Sequence, residues 1–150
     1  MKSKAAITAA ALAACAILLS QAQAAPKFES NTALAEYFWN QIFNEHKTAV
    51  IDELTDDKYV QHSPGFKDGK AAFKEGVSGF LKEYPESSAE IKHIGADGDM
   101  VYIHNHIKLN ASDRGQAAMD IFRIKDGKIA EHWDIIQDIP EKAENSNGMF

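Results

Sequence analysis

Apolar residues recur at helical spacing in the first half of the chain and at every second position in the second half. Leu34, Tyr37, Phe38 and Ile42 follow one another at i, i+3, i+4 and i+8 behind the good N-caps Ser30 and Asn31. That spacing predicts an amphipathic helix over 31–46, widened on its apolar side by Trp39 and Phe43. A shorter helix is expected over 47–54, with Val50, Ile51 and Leu54 inward. Residues 59–64 read as a short extended piece ending in a turn, because Pro64 pushes Ser63 away from helical backbone. A third helix is expected over 69–84, capped by Asp68 and stopped by Pro85, with Phe73, Val77, Phe80, Leu81 and Tyr84 as its stripe. Gly76 and Gly79 inside it each cost about 1 kcal/mol relative to Ala, and close packing against a sheet is their expected use.

After Pro85 the period changes to two. Strands are expected over 90–94, over 100–109 beyond a turn at 96–99, and over 116–125 beyond a polar loop at 110–115. Asp126-Gly127 is a strong two-residue hairpin signal and returns the chain as a last strand over 128–137. Helices first and an antiparallel meander afterwards make an α+β domain, with the helices packed on one face of the sheet.

The ends of the chain differ from this domain. Lys2 and Lys4 precede an uncharged run from Ala5 to Leu19, and Ala22-Gln23-Ala24 places small residues where a signal peptidase reads. Residues 1–24 therefore read as a secretory signal peptide with cleavage after Ala24. The run is shorter than the roughly 20 residues a membrane-spanning helix needs, so no stable membrane insertion is expected once it is removed. Leu12-Ala13-Ala14-Cys15 mimics a lipoprotein box, but Ala16 to Leu19 carries the apolar core past the cysteine. The domain is placed at 25–140 and a polar, frayed tail at 141–150, in a periplasmic or secreted protein.

Composition narrows the chemistry. With 150 residues, 45% hydrophobic and 25% charged, the chain has room for one ordinary globular domain. One cysteine excludes an intrachain disulfide framework and a cysteine-based zinc cluster. A net charge of −6, without a basic block, gives no electrostatic reason to bind nucleic acid. No dinucleotide glycine fingerprint, phosphate-cradling loop or nucleophile elbow is present.

The candidate site residues are polar groups that break the strand pattern. Asp120 lies between Met119 and Ile121, and Glu131-His132-Trp133-Asp134 occupies the last strand. Strands exclude Asp because it is a poor β-former and its charge is costly to bury. Two such residues in neighbouring strands point to a polar cavity. A hairpin register set by Asp126-Gly127 places Asp120 opposite Trp133 and on one face with Phe122, and it turns Asp134 to the other face. Only a β-bulge brings both carboxylates to one cavity. Burial disfavours the charged form of a carboxylate and moves it towards the range in which acids and bases exchange protons effectively. His62, where the helices hand over to the sheet, is either a second proton carrier or a structural hydrogen bond closing the turn. Tyr59, Gln61, Phe122 and Trp133 are candidate pocket residues, Tyr59 packing with its hydroxyl at the rim. His104 and His106 project to the same side of one strand and are candidates for substrate binding or for a His-based metal site. The Glu that a metal-binding cupin motif requires after the second His is missing, and no metal is expected.

The string from Asp120 to Asp134, with Gln61-His62-Ser63-Pro64 upstream, resembles the SnoaL-like group of the nuclear transport factor 2-like superfamily. The resemblance covers roughly residues 30–140. It implies a cone-shaped barrel of α+β class, a blind pocket between the curved antiparallel sheet and the long helix, and a homodimer formed through the sheet. The activity it implies is polyketide cyclisation by intramolecular aldol condensation, without metal or organic cofactor. The general acid/base of that group falls on Asp134 and its assisting polar group on Asp120, whereas the strict hairpin register favours Asp120. The reading is thus an exported protein that holds a small, largely apolar carbonyl-type molecule and acts on it by acid–base chemistry. A secreted binding module with the same pocket and no chemistry is the alternative, and a structural or dimerisation role is a third.

Overall fold

The structure is a computed structural model that describes residues 26–150, so the signal segment and its cleavage point lie outside the described residues. Ser30 Oγ accepts a hydrogen bond from the Ala33 amide at 3.1 Å and starts helix α1 (Asn31–Phe43). Leu34, Ala35, Phe38, Trp39 and Ile42 form its buried arc. Tyr37 falls outside that arc and is exposed, resting on Phe28 instead of joining the expected stripe. The helix stops before the expected residue 46 because Asn44 turns to the sheet. Its amide side chain donates to the Ala89 carbonyl at 3.1 Å and accepts from the Ala89 amide at 2.9 Å, as a neighbouring strand would.

Helix α2 (Ala49–Leu54) buries Val50, Ile51 and Leu54 and runs directly into strand β1 (Thr55–Gln61). Helix α3 (Lys70–Glu83) is capped by Gly69, not Asp68. Asp68 Oδ1 instead accepts from the amides of Gly69 and Gln61, both at 2.8 Å, and ties the end of β1 to the start of the helix. Phe73, Val77 and Leu81 are buried on α3. A Cβ on Gly76 would lie 2.8 Å from the Phe66 ring, so this glycine makes room for a loop aromatic and not for a sheet. Gly79 faces open space.

Four strands form an antiparallel meander: β2 (Ser88–Asp97), β3 (Met100–Lys108), β4 (Gln116–Lys125) and β5 (Lys128–Asp138). The extended piece after α2 joins them, β1 pairing in parallel with β5, so the sheet order is β1-β5-β4-β3-β2. The sequence shows β1 poorly because Asp56, Asp57 and Lys58 break its alternation. The register slips by one residue at two places, Lys92 in β2 and Ala130 in β5. Bulges of this kind bend a strand and increase its twist, which curves the sheet around α1 and α3. The core lies in the hollow of that curve, where Phe122 meets Phe38 and Trp39 edge-on at 6.2 and 6.1 Å. Among the described residues no helix is long and apolar enough to cross a membrane. The tail is not frayed throughout. Its last residue, Phe150, lies on the outer face of the sheet, with its ring 4.8 Å from His106 and 5.3 Å from His104.

Candidate active site

The bulge at Ala130 decides what the cavity receives. Near the turn, Lys125 pairs with Lys128 and Ile124 with Ile129, but beyond Ala130 Arg123 pairs with Glu131, Phe122 with His132 and Asp120 with Asp134. Asp120 is therefore opposite Asp134, not Trp133, and both carboxylates share the inner face with His132 and Phe122. On the other side of β4, Ile103 pairs with Asp120 and Asn105 with Ala118. Asn105, at 0% exposure, belongs to the same inner face.

These groups form one hydrogen-bonded chain. Asn105 Nδ2 donates to Asp120 Oδ2 at 2.7 Å. Asp120 Oδ1 lies 2.9 Å from His132 Nε2, and the two side chains are 5% and 7% exposed. His132 Nδ1 lies 3.0 Å from Gln61 Oε1. The Ser63 amide, which can only donate, also reaches Gln61 Oε1 at 3.0 Å and fixes that oxygen as an acceptor. His132 Nδ1 therefore carries a proton and donates it to Gln61. Gln61 Nε2 donates in turn to the Tyr59 hydroxyl at 2.8 Å. Burial, and then the negative charges of Asp134, Asp68 and Asp120, raise the Tyr59 phenol far above its usual range, so it stays neutral.

With Nδ1 occupied, the contact between His132 Nε2 and Asp120 Oδ1 holds one proton. It exists either as imidazolium against carboxylate or as imidazole accepting from a carboxylic acid. Asp134 completes the group, with one ligand atom of each of Asp120, His132 and Asp134 within 4.8 Å of the others. Its carboxylate has no hydrogen-bond partner among the described residues. The three groups face a cavity of about 140 Å³ whose other walls are chiefly aromatic: Phe38, Trp39 and Phe43 of α1, Phe66, and Phe73 and Phe80 of α3. A cation held by the three would have to displace the proton between Asp120 and His132. Without one, the arrangement pairs a free carboxylate with a proton donor at the same end of an apolar chamber, which suits proton transfer.

A model of the SnoaL-like polyketide cyclase family matches residues 33–144. The chain belongs to that family. No curated protein matches the chain significantly. Among solved structures, a SnoaL-like protein of unknown function from Burkholderia thailandensis is similar at 19% identity and a TM-score of 0.62, over 75% of this chain and 99% of that one. A candidate polyketide cyclase from Acidithiobacillus ferrooxidans aligns at 18% identity and a TM-score of 0.61, over 74% and 91% of the two chains. One from Bacillus cereus aligns at 24% and 0.61, over 71% and 74%. These likenesses concern the fold, which is that of the nuclear transport factor 2-like superfamily.

Within this SnoaL-like fold the expected site residues separate into three groups. Asp120, Asp134 and Phe122 line the cavity. Tyr59 and Gln61 stand behind His132 and hold it, and do not form the wall. His62, Trp133, His104 and His106 are on the outer face, because each alternates with an inward residue of its strand or follows the end of β1. His62 stacks on Trp133 at 4.3 Å, 3° from parallel, and its Nε2 bonds Glu131 Oε2 at 3.0 Å. Arg123 bridges Glu131 and Asp99 at 2.8 Å each. Sequence reasoning gave little weight to His132, which the slip at Ala130 turns inward, and it missed Asn105. A signal for Asn105 was present: it is the polar member of the inward series Val101, Ile103, Ile107.

Two outcomes test this geometry. Long-range ¹H–¹⁵N spectra should show His132 Nδ1 protonated, and Gln61→Met should destabilise the protein in urea by about 1–3 kcal/mol through the two donors it orphans, His132 Nδ1 and the Ser63 amide. An unprotonated Nδ1 in the wild type would refute the assignment. The hydrogen bond from His62, then the contact with Arg123, hold the Glu131 carboxyl below its ordinary range. Its folded value lies below its unfolded value, so its contribution is complete above the ordinary carboxylate range and is lost as pH falls through the folded value. The melting temperature should therefore fall more steeply in the wild type than in Glu131→Gln between about pH 5 and pH 3. Parallel curves would show that the outer pair contributes nothing.

Proposed function

We propose that this protein is an exported acid–base catalyst for a small, largely apolar carbonyl compound of single-ring size. The observation that carries the reading is the buried 2.9 Å contact between Asp120 and His132 beside the Asp134 carboxylate, which has no partner among the described residues, at the end of an aromatic cavity. Asp134 removes a proton from the carbon next to the carbonyl. The Asp120–His132 pair gives its proton to the developing enolate oxygen, and the reverse transfers complete an isomerisation or the enol stage of an aldol closure. Asn105 and Gln61 keep the pair oriented, and the aromatic walls exclude water. A cavity of about 140 Å³ is close in size to the roughly 150 Å³ apolar cavity that takes up benzene, which supports a ligand of one ring. The signal-like residues 1–24 support export, and the exposed Ile135 and Tyr102 on the outer face support a homodimer through the sheet.

The test is deuterium exchange, followed by NMR, at the carbon next to the carbonyl in a panel of single-ring ketones. The wild type should accelerate exchange for at least one of them. Asp134→Asn should remove about 10²–10⁴ of that acceleration while the fold remains intact by circular dichroism. Equal exchange in wild type and Asp134→Asn would reject the assignment of the base. A ketone retained by the wild type without any exchange would make the protein a binding module. Protein recovered from the cell exterior should begin at Ala25 and sediment as a dimer; retention of residues 1–24, or a monomer, would overturn those two parts.

A further inference from the structure

The outer face carries a second group of ring nitrogens that the acid–base site does not use. The bulge at Lys92 sets His93 of β2 opposite His104 of β3. Their Nδ1 atoms approach to 3.1 Å, with the rings 13° from parallel. His93 is exposed and His104 half-buried, so solvent reaches the pair. His106, the partner that spacing along one strand suggests for His104, stands apart from this pair: its Nε2 donates to the Arg114 carbonyl at 2.7 Å and its ring packs on Phe150.

We propose that His93 and His104 chelate a divalent cation of the zinc, nickel or copper class. Two metal–nitrogen bonds of about 2.0–2.1 Å, enclosing an angle between square and tetrahedral, set their nitrogens about 2.8–3.4 Å apart. The pair stands at 3.1 Å already, so a cation needs only a turn of each ring to bring the two lone pairs to one point. Imidazole is the ligand such cations prefer, whereas magnesium and calcium prefer oxygen. Lys92, beside His93, has its charge offset by Glu90 at 2.8 Å. The Phe150 ring, 5.3 Å from that of His104, shields one side of the pair, and water fills the remaining coordination positions. The site is on the opposite face of the sheet from the cavity and stands whether or not the catalytic reading holds.

The experiment is calorimetric titration of the untagged, chelator-treated protein with zinc chloride and with nickel chloride. One cation per chain should bind. His93→Asn and His104→Asn should each weaken binding at least about tenfold, while His106→Asn and Asp134→Asn leave it unchanged. Zinc should also raise the melting temperature of the wild type but not of the His93 variant, which separates loss of a ligand from loss of fold. No binding to the wild type would overturn the proposal. So would binding that survives both His93→Asn and His104→Asn, or binding that Asp134→Asn abolishes, since the latter places the cation in the cavity.

Discussion

With one residue more in β5 than in β4, the two strands cannot keep the pairing that their turn sets. From Glu131 onward every side chain is carried to the opposite face from the one strict alternation would give it. His132 and Asp134 enter the cavity as a result, and Trp133 leaves it for a stack with His62. A strand without the extra residue would bury the indole and expose the imidazole. Asp120 would then be a carboxylate with only the Asn105 amide for a partner in an aromatic chamber, a state that costs several kcal/mol unless the group is neutralised or paired. The bulge is what makes burial of Asp120 affordable.

That burial also explains the residues behind the wall. An ion pair or proton-sharing pair in an apolar interior is stable only if its remaining donors and acceptors are satisfied. Asn105 supplies the second Asp120 oxygen, and Gln61 supplies the far nitrogen of His132. Gln61 can do so only because the Ser63 amide and Tyr59 hydroxyl fix its orientation. Local backbone, a turn residue and two strands thus converge on one imidazole. The group left without such support is Asp134, and it is the one placed to meet a ligand.

The periodic parts of the fold were legible in the sequence: three helices, the hairpin at Asp126-Gly127, and the inward series of β3. β1 was not, because Asp56 to Lys58 interrupt its alternation and its stability comes from parallel pairing with a strand more than sixty residues away. In the site, Asp120 and Asp134 stood out as acids in apolar strands, and a bulge was recognised as the condition for both to point inward. Nothing local to Ala130 marks it as the extra residue, since the slip is a property of two strands fitted together. His62, His104 and His106 drew attention because histidine is versatile. Residue type says nothing about face, and strand parity and the end of β1 put all three outside.

Family membership suggests a larger ligand than the cavity admits. The family takes its name from polyketide cyclases, and a multi-ring polyketide enclosed whole in a cavity of about 140 Å³ would have to separate α1 and α3 from the sheet. The contacts it would open are those of Phe38 and Trp39 with Phe122, which lie at the centre of the core. Fully exposing even one such side chain costs roughly 1.5–3 kcal/mol, and a site that must break its own core to admit each ligand spends binding free energy on that opening. A single ring needs no such opening. In the proposed reading it lies against Phe38 and Phe73 with its oxygen towards the Asp120–His132 pair, and the cavity volume, which the fold alone does not fix, is the argument for a ligand of that size.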